Sequence, residues 1–178
     1  MARYVALLRG INVGKAKRIA MADLRALLES LGLTNVRTLL NSGNAVFDAP
    51  AEPPAKLAAR IQAAIARKLG VESLVVVKSA KDIAAIVAGN KLKAIASNPS
   101  LLLVALTIDS EALARLAPLA KAKWKSEVVH VGKDAAYAWC PEGSLNSKAG
   151  VALLRDLADT GTTRNWGTIQ KLDEMLRD

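Results

Sequence analysis

The stretch Val36–Phe47, VRTLLNSGNAVF, holds two short apolar runs, VRTLL (36–40) and AVF (45–47), on either side of NSGN (41–44). A polar tetrad with a glycine between two such runs reads as a tight antiparallel hairpin. Upstream, RYVALLRG (3–10) is apolar enough for a strand buried on both faces. Between that strand and the hairpin, Met21, Leu24, Leu27, Leu28 and Leu31 recur at helical spacing, and Gly32 closes the run. Downstream, Pro53 and Pro54 open a second helix whose stripe is Leu57, Ile61, Ala64, Ile65 and Leu69, closed by Gly70. SLVVVK (73–78) supplies a fourth strand. The hairpin thus lies at the centre of a β-α-β-β-α-β order over residues 1–80, the split pattern of the ferredoxin-like fold.

Residues 81–178 read less regularly. A short helix (81–89) and a polar loop precede the buried strand LLLVALTI (101–108), after which Asp109 or Ser110 caps a helix ending near Pro118. EVVHV (127–131) and AAYAWC (135–140) form a second hairpin across Gly132, Lys133 and Asp134. Helices over 147–159 and 163–177 finish the chain, the last with the stripe Trp166, Ile169, Leu172 and Leu176. The expected class is α+β: a ferredoxin-like subdomain (1–80) packed on a second, smaller α+β subdomain (81–178) that ends in a helical pair.

At 178 residues with 52% hydrophobic and 3% aromatic content, the chain can bury an aliphatic core. No apolar run approaches the roughly 20 residues that span a bilayer, and MARYVALLRG lacks the features of a secretory signal. A cytoplasmic protein without membrane contact is expected. The single Cys140 forms no internal disulfide and reads as a buried, hydrophobe-like residue. The formal charge is +9, and it is uneven: residues 1–80 carry 12 Lys and Arg against 5 Asp and Glu, residues 81–178 carry 13 against 11. A positive field of this kind raises the local concentration of phosphates and nucleic acids.

With strand order 4-1-3-2, the end of the first strand lies beside the start of the third, so RGINVGK (9–15) and NSGN share one edge. RGINVGK is not a P-loop: Gly10 and Gly14 enclose one residue too few, and Ala16 stands where the magnesium-binding hydroxyl belongs. The shared edge nevertheless gathers Arg9, Asn12, Ser42 and Asn44. A third polar cluster, GTTRNW (161–166), is expected to open the last helix, with Thr162 or Thr163 as N-cap and Arg164 in the first turn. A cation there is disfavoured by ~0.3–1 kcal/mol, which a bound anion or a salt bridge would offset. Trp166 reads as a core anchor. The lone His130 has no partner at metal-ligand spacing, and neither a zinc signature nor a G-x-S-x-G elbow occurs, so no metal, cofactor or catalytic set is assigned.

The segments YVALLRGINVG, MADLRALLESLG, VRTLLNSGNAVF, EVVHV, YAWCPEG and TTRNWGTIQKL resemble the domain of unknown function 1697 family, with matches spread over nearly the whole chain. The resemblance implies a bacterial, cytosolic, two-subdomain α+β protein whose first half is ferredoxin-like; it implies no activity. Its signature residues map to Arg9, Gly10, Asn12, Gly14, Ser42, Gly43, Asn44, Thr163, Arg164, Asn165 and Trp166. Lys15 replaces a commoner second glycine, and Leu39-Leu40-Asn41 replaces a commoner tyrosine-containing lead into SGN.

Three readings follow. In the first, a small phosphate-bearing ligand lies where loop 9–15, turn 41–44 and the start of the last helix converge, bound by Arg9, Asn12, Ser42, Asn44, Arg164 and Asn165, while Gly10, Gly14, Gly43, Thr163 and Trp166 shape the site. In the second, the signature residues fix the seam of a structural or interaction module. In the third, the basic N-terminal half binds nucleic acid through phosphates in a salt-dependent way, with Tyr4 and Phe47 the only aromatics on its first and third strands. The first site has donors but neither carboxylate nor histidine, which argues against acid–base catalysis.

Overall fold

The computed structural model describes residues 1–178 as two units, Met1–Lys81 with Glu174–Asp178, and Asp82–Asp173. The first runs β1 (Ala2–Leu8), α1 (Met21–Ser30), β2 (Thr34–Leu39), β3 (Asn44–Ala49), α2 (Pro54–Leu69) and β4 (Val75–Ser79). Its sheet has the order β2-β3-β1-β4, with β1 antiparallel to both neighbours. This is the ferredoxin-like arrangement expected from the hairpin outward.

Alternation along the strands decides which side chains face the helices. Tyr4, Ala6 and Leu8 of β1, Ala45, Phe47 and Ala49 of β3, and Val75 and Val77 of β4 form one cluster with Leu24, Leu27 and Leu28 of α1 and Leu57, Ile61, Ala64 and Ile65 of α2. Each such leucine or isoleucine contributes about 1.5–3 kcal/mol by leaving water. The rings of Tyr4 and Phe47 stack inside this cluster with centroids 5.9 Å apart. The Tyr4 hydroxyl donates to the Glu52 carbonyl at 2.9 Å and accepts from the Glu52 N–H at 3.0 Å, so its polar end is satisfied without reaching solvent.

The second unit begins in α3 (Ala80–Ala88) and continues through β5 (Leu102–Thr107), α4 (Ser110–Ala114), α5 (Ala117–Lys121), β6 (Val128–Val131), β7 (Ala136–Trp139), α6 (Lys148–Leu157), β8 (Gly161–Asn165) and α7 (Trp166–Arg177). Its sheet order is β6-β7-β5-β8, every pairing antiparallel. With α4 and α5 counted as one interrupted helix, this is the β-α-β-β-α-β arrangement again. The half that reads as irregular therefore repeats the topology of the first. Pro118 falls in the first turn of α5 and divides what would be one helix. The core of the unit is Leu103, Ala105, Val129, Ala136 and Ala138 of the sheet against Leu113, Leu116, Leu119, Leu153 and Leu157.

The polar run 161–165, expected to cap and open the last helix, is instead the strand β8, paired with β5 in the register Val104 opposite Arg164 and Ala105 opposite Thr163. The final helices α6 and α7 are separated by this strand. Helix α7 starts only at Trp166, where the Asn165 Oδ1 accepts from the Thr168 N–H at 2.9 Å. Asn165, rather than Thr162 or Thr163, thus makes the capping bond. No helix is long and apolar enough to cross a membrane.

Candidate functional site

The loop between β1 and α1 is built by one asparagine. Asn12 sits at φ 56°, a left-handed conformation that asparagine tolerates better than most residues. Its Oδ1 accepts from the Ile19 N–H at 2.8 Å, and its Nδ2 donates to the carbonyls of Ile19 at 2.8 Å and Asn41 at 2.7 Å. Its own N–H donates to the Lys17 carbonyl at 3.0 Å. The first bonds close the loop on itself, and the bond to Asn41 ties it to the β2–β3 turn. RGINVGK and NSGN do meet at one sheet edge.

The turn is equally determined. Asn44, fully buried, donates from Nδ2 to the Leu39 carbonyl and to the Ser42 Oγ, both at 2.9 Å. The Gly43 carbonyl accepts from the Leu8 N–H at 2.9 Å. Gly43 has φ 89°, and a Cβ there would stand 2.8 Å from the Leu8 Cβ and 2.9 Å from the Ile11 Cδ1. Only glycine fits where the turn crosses the end of β1.

What this frame presents to solvent is cationic. Lys15, Lys17 and Arg18 are all exposed, as is Val13 at the loop tip. The Arg18 NH1 donates to the Gly14 carbonyl at 3.3 Å, which lays the guanidinium along the loop. Beside it, Asn12, Arg18, Ile19, Ala20, Met21 and Asn41 line a cleft of about 430 Å³. The start of α1 forms one wall. Ala20 holds the N-cap conformation, φ −69° and ψ 139°, but no side chain accepts from the first-turn N–H groups. Such a helix start carries a partial positive charge and free donors.

The other expected site residues fall into different surroundings. Arg9 ends half-buried just beyond β1, its N–H donating to the Leu74 carbonyl at 2.9 Å and its carbonyl accepting from the Ser73 Oγ at 2.7 Å. Gly10 and Gly14 lie in the loop at φ 66° and 68°. In the second unit, Arg164 is only 8% exposed and donates from NH1 to the Thr162 Oγ1 at 3.0 Å and the Thr163 carbonyl at 2.7 Å. Burial lowers its pKa to about 10. Trp166 is buried. Arg18 and the uncapped Ala20 escape the sequence reading, because Ser, Asp or Asn is the usual mark of a helix start and none stands at position 20.

Cys140 and His130, the lone thiol and the lone imidazole, both lie in the second unit. Cys140 is fully buried in the core of the second unit, and burial pushes its thiol pKa up. His130 stacks on Tyr137 with centroids 5.9 Å apart, its pKa lowered by burial and by the Lys91 charge, so it is neutral at neutral pH. No group of three or more His, Cys, Asp or Glu side chains is placed to hold a metal ion.

Fold and site together define an α+β protein of two β-α-β-β-α-β units, one of which carries a rigid basic loop at the end of its first strand. The sequence profile of the family described as "Protein of unknown function (DUF1697)" matches residues 1–137, and the chain belongs to that family. The structure is similar to that of the conserved bacterial protein SP0830 from Streptococcus pneumoniae, with a TM-score of 0.79 and 26% sequence identity over 98% of each chain. No functionally curated protein matches the chain.

Proposed function

We propose that the protein binds a small phosphate-bearing anion in its first unit, in the cleft between loop 12–20, the start of α1 and Asn41. The observation that carries this reading is the uncapped N-terminus of α1 beside exposed Lys15, Lys17 and Arg18 on a loop that Asn12 locks in place. Backbone N–H groups and a guanidinium are the donors that recognise phosphate oxygens. Arg18 is the principal cation, because Arg9 is half-buried and Arg164 nearly completely buried. Asn12 and Asn44 shape the cradle, since their amides are spent on loop and turn carbonyls. The start of α7 has its own cap in Asn165 and contributes no anion donors to this reading. Ligand capture without acid–base chemistry is the function such a donor set supports.

Scaffolding by the signature asparagines is thus part of the same reading. Tyr4 and Phe47 are buried between sheet and helices, where no base can stack on them, so the nucleic-acid reading rests on salt-dependent contacts to phosphates alone. Isothermal titration with inorganic phosphate, pyrophosphate and adenosine nucleotides tests the proposal. Binding by the wild type, weakened about tenfold in Arg18→Ala, is expected. Silence from the wild type towards all of these, or an unaltered affinity in the variant, refutes it.

A further inference from the structure

The second unit carries a separate surface. Along α6, Lys148, Val151, Ala152 and Arg155 fall on one helical stripe by their spacing and line a groove of about 420 Å³ with Trp124, Leu145, Asn146 and Ser147. Leu145 is 81% and Val151 50% exposed, an unusual cost for two aliphatic side chains so close together. Trp124 lines the same groove; it packs against the unit's core and donates from its indole N–H to the Leu119 carbonyl at 2.9 Å, which fixes the ring. A rigid aromatic wall beside exposed aliphatics is what an anchor pocket needs.

Charge selects the occupant. Lys148 and Arg155, both exposed, stand at the two ends of the α6 stripe and are the charged residues that line the groove. Of the nearby carboxylates, Glu127 accepts from the Ser147 Oγ at 3.2 Å and the Lys125 N–H at 3.2 Å, and Asp156 pairs with Arg155 through Nε alone at 2.9 Å, so Lys148 and the outer N–H groups of Arg155 are the cations the groove offers. A second copy of this chain, formally +9, would bring further positive charge to a positive rim. We infer that the Trp124–Leu145–Val151 groove docks an acidic peptide segment of a partner protein, seating one or two aliphatic side chains between Trp124 and Val151 while its carboxylates meet Lys148 and Arg155. The volume suits such side chains, and the concave form suits a peptide better than a flat lipid surface. This inference is independent of the anion site, which lies in the other unit.

The test uses the full chain, isotope-labelled, and three synthetic twelve-residue peptides: repeating Glu-Glu-Leu-Leu, repeating Lys-Lys-Leu-Leu and repeating Glu-Glu-Ser-Ser. Expected are amide shifts at 145–155 and at the Trp124 indole with the first peptide alone, and a weakening of about tenfold in either Val151→Glu or Lys148→Glu. Both positions are exposed, and circular dichroism confirms that the variants fold. The proposal is overturned if the first peptide fails to bind or shifts other surfaces, or if the basic or serine peptide binds as well. It is also overturned if phosphatidylglycerol vesicles, and not the peptide, protect this face.

Discussion

Asn12 and Ile19 hold each other by both backbone groups of Ile19: the Asn12 Oδ1 accepts from the Ile19 N–H, and its Nδ2 donates to the Ile19 carbonyl, each at 2.8 Å. Seven residues apart, the two ends of the loop are pinned as a strand pair would pin them, with one side chain in place of a strand. Removing that side chain in Asn12→Ala is expected to cost about 2–3 kcal/mol, the sum of several half-exposed hydrogen bonds at their usual net worth. Asn12→Asp should not rescue it, because a carboxylate keeps the acceptor but faces two carbonyls that need a donor. Urea denaturation gives the stability. Hydrogen exchange at the Ile19 amide should rise before the rest of the sheet opens, and an Asn12→Asp protein as stable as wild type refutes the clip.

Gly43 and Gly10 make a controlled pair, since both have positive φ, 89° and 66°. A Cβ on Gly43 would strike Leu8 and Ile11, whereas one on Gly10 meets nothing within 4 Å. Gly10→Ala should therefore cost about 1 kcal/mol of backbone strain alone, and Gly43→Ala about 2–4 kcal/mol, because strain and overpacking at a sheet end combine. Thermal unfolding of the two variants side by side checks the order. Equal losses would mean that the turn can shift away from β1.

Most of the first unit was legible because its strands and helices carry periodicity that nothing contradicts: Leu57, Ile61 and Ile65 mark a helix, and the NSGN tetrad marks a turn. The meeting of loop 9–15 with that turn followed from strand order alone, and the Asn12 to Asn41 bond at 2.7 Å realises it. The strand β8 was hidden because Gly161–Asn165 has no apolar residue; its Thr162 and Arg164 side chains are buried by neighbours that periodicity does not reveal. Missing it concealed that the second unit repeats the first. Arg18 and Ala20 were illegible for another reason. Whether a helix start is capped depends on side-chain geometry, and an alanine at that position carries no pattern of its own.

Asp48 links acid stability to the edge of the first sheet. Its carboxyl pKa is held below the usual range, first by the Asn35 Nδ2 at 2.7 Å and then by the Arg3 Nε at 2.9 Å. A carboxylate whose folded pKa is depressed adds stability above its unfolded value of about 3.9 and loses it as pH falls through the folded value. Asp48→Asn should thus be less stable than wild type at neutral pH, with the gap closing as pH falls below about 4. Urea midpoints measured across that range decide it; a gap independent of pH would assign the loss to packing rather than to charge.

Ala20 provides a test in which stability and binding move in opposite directions. Its extended backbone at the head of α1 already suits a capping side chain, and it is exposed, so Asp has room there. Ala20→Asp should satisfy first-turn N–H groups and stabilise the protein by about 0.5–2 kcal/mol. The same carboxylate would occupy the place proposed for the ligand's phosphate, so anion affinity should fall while the melting temperature rises. Asp23, in the first turn of the same helix, supplies the converse: Asp23→Asn removes a negative charge from that helix start and should tighten phosphate binding. Calorimetry on both variants separates this from a general charge effect, because Asp82→Asn removes an equal charge from α3 in a different part of the chain and should leave affinity unchanged. A stabilised Ala20→Asp protein that binds phosphate as tightly as wild type would place the anion elsewhere than the start of α1.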